Sequence, residues 1–213
     1  GLVQMPIDLG DGSQLRLTIS RYYTPSGRCI QKPYENTPTE YREEYYERFA
    51  NGEMFVKDSM QINDTLIYKT ENGRTVYGGG GIVPDYFVPY DTSHNSAYLN
   101  ALFTSNTLAE YALSYATANE KYLKELGLQK FISDYQISTQ QLREIQLQAN
   151  KNGVVFNPSQ FKLSKERLQL LIKAYIGRRI WKSEGFYPVY NNGDEIFMHA
   201  KTLFDLADPL ISH

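Results

Sequence analysis

Three histidines, one cysteine and a few serine–lysine and acidic pairs are the residues of this 213-residue chain whose types could do chemistry. His94, His199 and His213 lie far apart with no neighbouring ligand at metal-site spacing, so no metal centre is expected. His199 falls in a helical stretch, where packing or the surface is its ordinary place, and His213 is terminal. Ser159-Gln160-Phe161-Lys162 has a spacing in which a lysine could act as base to a serine. It follows Pro158 in what reads as a loop, and its companion motifs are missing, so it carries little weight. A serine–histidine hydrolase would need a Gly-x-Ser-x-Gly elbow, and none is present. The run Gly78–Gly81 lacks the Lys-Ser or Lys-Thr of a phosphate loop, and Pro84 opposes a helix start after it. It reads as flexible or tightly packed backbone joining two strands, and its glycines could line a groove where a peptide backbone approaches closely. Glu43-Glu44 and Asp194-Glu195 lie in helices of solvated composition and read as surface and cap. Cys29, being alone, excludes an internal disulfide.

The bulk composition narrows the function classes. With 22 Lys+Arg against 24 Asp+Glu, the net charge of −2 gives no electrostatic reason to expect nucleic acid or an anionic membrane as partner. No apolar run approaches the roughly 20 residues of a membrane span. The opening residues carry no signal-peptide pattern, so they do not reveal a compartment. Hydrophobic residues at 41% suffice for a real core, and the 18 tyrosines read first as strand and helix-interface packing.

Two kinds of element must position whatever site exists. Val3, Met5, Ile7 and Leu9 alternate with Gln4, Pro6 and Asp8, which predicts a half-buried strand. Gly10-Asp11-Gly12-Ser13 is turn chemistry, and Leu15, Leu17 and Ile19 then alternate with Arg16, Thr18 and Ser20. Together these predict a β-hairpin with matched apolar faces. Thr24-Pro25-Ser26-Gly27 is a second turn. Thr37-Pro38-Thr39-Glu40 predicts a helix start, with the helix running to about Asn51-Gly52. Glu71-Asn72-Gly73 predicts a second hairpin between residues 65–70 and 74–77. From His94 the period becomes helical. One long or broken helix is expected over 95–126, ending at Gly127. Ser138-Thr139-Gln140-Gln141 is a capping box before Leu142, Ile145 and Ala149, with Gly153 to end that helix. Leu168, Leu171, Ile172, Tyr175, Ile176 and Arg179 recur at helical spacing after a Ser164 cap. Asn192-Gly193-Asp194-Glu195 opens a last helix, with Pro209 beyond its end. The expected class is α+β: a β-hairpin-rich part over 1–92, then an all-helical domain over 93–213.

The opening stretch resembles the carboxy-terminal processing peptidases, or tail-specific proteases, which are serine endopeptidases with a lysine as general base. Gly1-Leu2-Val3-Gln4 is similar to the end of that family's Phe-Gly-Lys-Gly-x-Val-Gln segment. Asp11-Gly12-Ser13, Leu15 through Arg21 and Tyr23-Thr24-Pro25-Ser26-Gly27-Arg28 resemble its DGS…ARYYTPSGR segment, and Gly81-Ile82-Val83-Pro84-Asp85 its GIxPD motif. The resemblance covers residues 1–31 and 78–88, interrupted by an insertion at about 32–77, and the helical tail is longer than a compact core needs.

The resemblance implies that the chain begins just after the base lysine, so that lysine and the upstream nucleophilic serine lie outside it and the fragment should be inactive. A lysine can take a proton from serine only when burial lowers its pKa toward neutrality. Gln4 matches the third member of a Ser-Lys-Gln triad found in some members, where its amide would orient the lysine ammonium. The resemblance further implies protein or peptide substrates, no cofactor, and a periplasmic or cell-envelope location. The truncated sheet should leave strand edges that pair with another copy, so a homo-oligomer is expected. Two other functions compete with the peptidase: a non-catalytic protein-binding or scaffold module of a pseudo-peptidase, and, more weakly, a tyrosine-based carbohydrate-binding module.

Overall fold

In the computed structural model the described residues are 1–31, 37–59, 65–79 and 81–211. Gly80 of the glycine run, parts of the 32–77 insertion and His213 lie outside them. The chain divides into two compact units, one running from Gly1 to Pro89 and the other from Tyr90 to Leu210. The architecture is α+β: two small antiparallel sheets toward the N-terminus and a helical remainder.

In the first unit, β1 (Leu2–Asp8) pairs antiparallel with β2 (Gln14–Arg21), Met5 opposite Leu17 and Ile7 opposite Leu15. Val3 lies opposite Ser20 but Gln4 opposite Thr18, so Ile19 is the extra residue of a β-bulge. The turn closes through Leu9 N to Ser13 O at 2.8 Å and Gly12 N to Leu9 O at 3.0 Å. Gly12 has φ 81°, a left-handed conformation that costs glycine nothing. Helix α1 (Pro38–Ala50) follows, as its proline start predicts, with Tyr46 and Phe49 exposed. Strands β3 (Ile67–Lys69) and β4 (Thr75–Tyr77) form the second expected hairpin.

The second unit is a bundle of helices around one apolar core. Its elements are α2 (Ala97–Thr104), α3 (Thr107–Ala118), α4 (Glu120–Leu126), α5 (Leu128–Ser133), α6 (Thr139–Lys151) and α7 (Pro158–Tyr190). Two short helices complete the list, α8 (Glu195–Ala200) and α9 (Phe204–Ile211). The stretch expected over 95–126 is thus broken, at Ser105-Asn106 and at Asn119, and α5 adds a helix the pattern did not announce. Leu102, Leu108, Leu123, Phe131, Ile145, Leu168, Ile172 and Ile176 are fully buried. Helix α7 packs against α2, α3, α4 and α5, and α6 against α3. The Ser138 capping box is complete: Ser138 Oγ accepts from Gln141 N, and Gln141 Oε1 accepts from Ser138 N at 2.9 Å.

Two expectations about helix ends are corrected and one holds. Asn157, not Ser164, caps α7, its side chain accepting from Gln160 N. Ser164 is buried within that helix, 2.7 Å from the His94 carbonyl and 2.8 Å from Ser96 Oγ. Pro209 falls inside α9, not beyond the last helix. Asp194 does cap α8, accepting from Phe197 N at 2.9 Å.

Helix α7 reverses at Lys182, whose φ of 55° and ψ of −132° are not helical. The reversal brings two glycines together. A Cβ on Gly177 would lie 2.3 Å from the Gly185 carbonyl oxygen, and one on Gly185 equally close to that of Gly177. Trp181 meets Phe131 beneath this contact, ring centroids 4.9 Å apart. Gly185→Ala is therefore expected to destabilise the helical unit by about 3 kcal/mol, the upper range for forced overpacking. Lys182→Gly should act oppositely, by up to ~1 kcal/mol, because glycine adopts that backbone without strain. Thermal melts followed by helical circular dichroism check both signs, and an unshifted melt for Gly185→Ala would mean the backbones do not touch.

Candidate active site

Gln4 is positioned by the alternation of β1, which sets it on the face opposite Met5 and Ile7, across from Thr18 and beside the bulge. It is exposed, and its amide makes no hydrogen bond among the described residues. The strand leading into it is held at its start. Tyr22 N donates to Gly1 O at 2.8 Å.

The segments picked out by resemblance are tied together by arginines. Tyr23 and Cys29 bridge across the Thr24-Pro25-Ser26-Gly27 turn, which Gly27 closes at φ 79°. Thr24 N donates to Arg28 O at 2.9 Å, and the Thr24 and Ser26 hydroxyls lie 2.9 Å apart. Arg28 then donates from Nη1 to the Tyr77 carbonyl at 3.3 Å, while its Nε is buried without an acceptor. Arg74, in the β3–β4 turn, pairs with Asp85 of the Ile82-Val83-Pro84-Asp85 stretch. Residues far apart in sequence thus meet within one unit, and Arg28 is a tie that sequence spacing did not single out.

No serine–lysine pair forms a substitute dyad among the described residues. Ser159 lies in the first turn of α7, not in a loop, and its Oγ donates to Asn157 Oδ1 at 2.8 Å. Lys162 is exposed on the same helix. Lys173 is the lysine whose pKa burial pushes down, but its Nζ donates to the Ile132 carbonyl at 2.7 Å. His94 is about half exposed, with Nε2 4.0 Å from Asp91 Oδ2 and Nδ1 3.5 Å from the Leu163 carbonyl. Among the described residues no cluster of His, Cys, Asp and Glu could hold a metal ion, and no helix is long and apolar enough to cross a membrane. Cys29 is free and half-buried.

Two family models match separate parts of the chain, one within each compact unit. Residues 1–40 match the model of Peptidase family S41. Residues 98–182 match the model of a family of unknown function, DUF8443. The first match supports reading the β1–β2 hairpin and its following turn as a segment of a peptidase of that family. It includes Gln4 and the Thr24–Arg28 turn and stops before the Gly81–Asp85 stretch. Neither the curated proteins nor the solved structures yielded a match to the chain.

The β1–β2 turn has a titratable latch. Asp11 Oδ1 accepts from Ser13 Oγ at 2.6 Å and from Ser13 N at 3.0 Å. These bonds, the hydroxyl's first, hold the Asp11 carboxyl below its ordinary value. A depressed carboxylate pKa means the latch is present above the unfolded value of about 3.9 and is lost as pH falls through the folded one. The Ser13 amide proton is expected to shift on acidification with a midpoint below 3.9. Proton NMR titration reads it, and a midpoint at or above that value would mean the latch is not formed.

Proposed function

We propose that this chain is the C-terminal portion of a serine endopeptidase of family S41 that processes or degrades proteins from their C-termini. The match over residues 1–40 carries this reading. An independent observation supports it. Met5, Ile7, Leu15 and Leu17 share one face of the β1–β2 hairpin, yet each is between 36% and 49% exposed. Fully burying such a side chain stabilises a fold by about 1.5–3 kcal/mol. A peptidase core laid over that face would supply the missing cover.

In the parent enzyme the nucleophilic serine and its base lysine come from that core. The lysine, desolvated, takes the serine proton as the hydroxyl attacks the scissile carbonyl, and an acyl-enzyme forms and is hydrolysed. Gln4, on the open polar face of β1, orients the lysine through its amide oxygen. The substrates are loosely folded proteins or peptides, and the parent works in the periplasm or cell envelope. The chain alone, lacking both members of the dyad, does not cut peptide bonds, and its uncovered hairpin associates with a second copy.

A fluorophosphonate probe, which traps activated serines, tests the first part. The purified 213-residue chain is expected to remain unlabelled and to leave an unfolded protein substrate intact. Stoichiometric labelling of any serine in it would overturn the assignment of the nucleophile to the core. In the parent enzyme Gln4→Ala should lower kcat about tenfold to a hundredfold, since it removes an orienting group and not the base itself. An unchanged kcat would remove Gln4 from the mechanism.

A further inference from the structure

The second unit holds a cavity of about 630 Å³ between α3, α4 and the start of α6, within the residues that match the family of unknown function. Tyr111, Tyr115, Tyr122 and Tyr135 line it together with Gln141 and Glu144. We infer that this cavity binds an uncharged carbohydrate, with the Tyr115 hydroxyl as donor and the Glu144 carboxylate as acceptor.

The argument rests on proton bookkeeping along a chain of hydrogen bonds. Gln141 Oε1 is fixed by the Ser138 backbone N–H at 2.9 Å, which determines which end of the amide is the donor. Gln141 Nε2 therefore donates to Tyr135 Oη at 2.8 Å. Tyr135, accepting there, donates its own proton to Tyr115 Oη at 3.0 Å. Tyr115 has thus received a hydrogen bond, and among the described residues nothing accepts its proton. Burial, first, and then the Tyr115 hydroxyl push the Tyr135 pKa far above the ordinary phenol value, so the relay stays protonated. The capping box that starts α6 therefore also leaves a polarised donor in the cavity wall.

The acceptor side is equally defined. Tyr111 Oη donates to Glu144 Oε2 at 2.9 Å, and Gln140 Nε2 donates to Glu144 Oε1 at 3.1 Å. Each carboxylate oxygen keeps lone pairs for further donors. The Tyr111 and Tyr115 rings stack with centroids 5.9 Å apart, and Tyr122 is 53% exposed at the same cavity. Donor, acceptor and aromatic surface side by side match a sugar ring, whose hydroxyls both give and accept while its C–H face lies on an aromatic ring. An anion is opposed by Glu144, and a cation has nothing to accept the Tyr115 proton. An extended peptide would seek free backbone groups along an edge, whereas most of this wall is helical with its backbone already bonded.

Saturation-transfer NMR on the 213-residue chain, with maltose, cellobiose and N,N′-diacetylchitobiose as separate probes, tests the assignment. At least one sugar is expected to show transfer, and its affinity should fall about tenfold in Tyr115→Phe and in Glu144→Gln, the loss of one ligand hydrogen bond each. Tyr187→Phe, an exposed tyrosine on α7 away from the cavity lining, should leave binding unchanged. If Tyr115→Phe melts, Glu144→Gln decides alone, because it leaves the relay intact. Absence of transfer from all the sugars, or transfer insensitive to both variants, overturns the proposal. So does binding of trialanine amide at these tyrosines in place of any sugar, which would make the cavity a peptide site.

Discussion

A two-stranded sheet has no inside. β1 and β2 pair their backbones and segregate apolar from polar side chains, but each has only one neighbouring strand among the described residues, and the apolar face stays exposed. Pairing strands fixes register, while burial supplies most of the driving force, and two strands alone are marginal in water. The Met5, Ile7, Leu15 and Leu17 face is therefore an unfinished layer. What holds this hairpin in shape is local and polar: the Asp11–Ser13 latch, the Gln14–Asp8 bond at 2.7 Å and the Tyr22–Gly1 bond. Such contacts fix geometry well and contribute little net stability each. The same logic explains why Arg28 and Arg74 matter in this unit. Its described residues include no buried apolar cluster to fasten the turns, and guanidinium bonds to Tyr77 and Asp85 do the fastening.

The helical unit meets the opposite constraint. Its core is complete, so its limits are steric. The approach of Gly177 to Gly185 admits no Cβ on either residue, and the chain accepts a strained backbone at Lys182 to reach it. That strain, of order 1–3 kcal/mol for a residue in such a conformation, is offset by the burial it permits around Phe131 and Val189. A helix that ran straight through residue 182 would carry Phe186 and Val189 away from the residues they now cover. The contact of Tyr175 with Phe186, centroids 6.0 Å apart, exists only because the chain turns back.

What could be read in the residues follows from how locally each feature is determined. The β1–β2 hairpin, the β3–β4 hairpin and the Ser138 capping box are set by side chains within a few positions of one another, and these were legible with nearly correct bounds. The reversal at Lys182 was not, because no glycine or proline marks it. It is imposed by packing between residues eight apart, and the only trace is the pair Gly177 and Gly185. Ser164 looked like a cap because serine often is one. Its actual partners, His94 and Ser96, lie some 70 residues away. Of the candidate site, the strand position of Gln4 was legible from alternation, and its chemistry came from resemblance alone. Arg28 and the tyrosine relay could not be anticipated, since both depend on contacts between elements. Gln141 was visible as half of a capping box, but not as the origin of a donor chain.

The two units thus differ in where their polar groups lead. In the hairpin unit Asp11 bonds Ser13 and Gln14 bonds Asp8, while Gln4 stands with its amide unbonded among the described residues on an exposed strand. An orienting glutamine has value only when another residue supplies something to orient, so a lone Gln4 is chemically mute. In the helical unit the relay from Ser138 through Gln141 and Tyr135 to Tyr115 runs in one direction, because the backbone N–H at its start cannot reverse. A directed donor beside a carboxylate is a complete recognition element without help from another chain. The unbonded Gln4 amide and the directed tyrosine relay therefore lie in different units of the molecule. The segment that matches the peptidase family and the helical segment with the tyrosine relay share no residue.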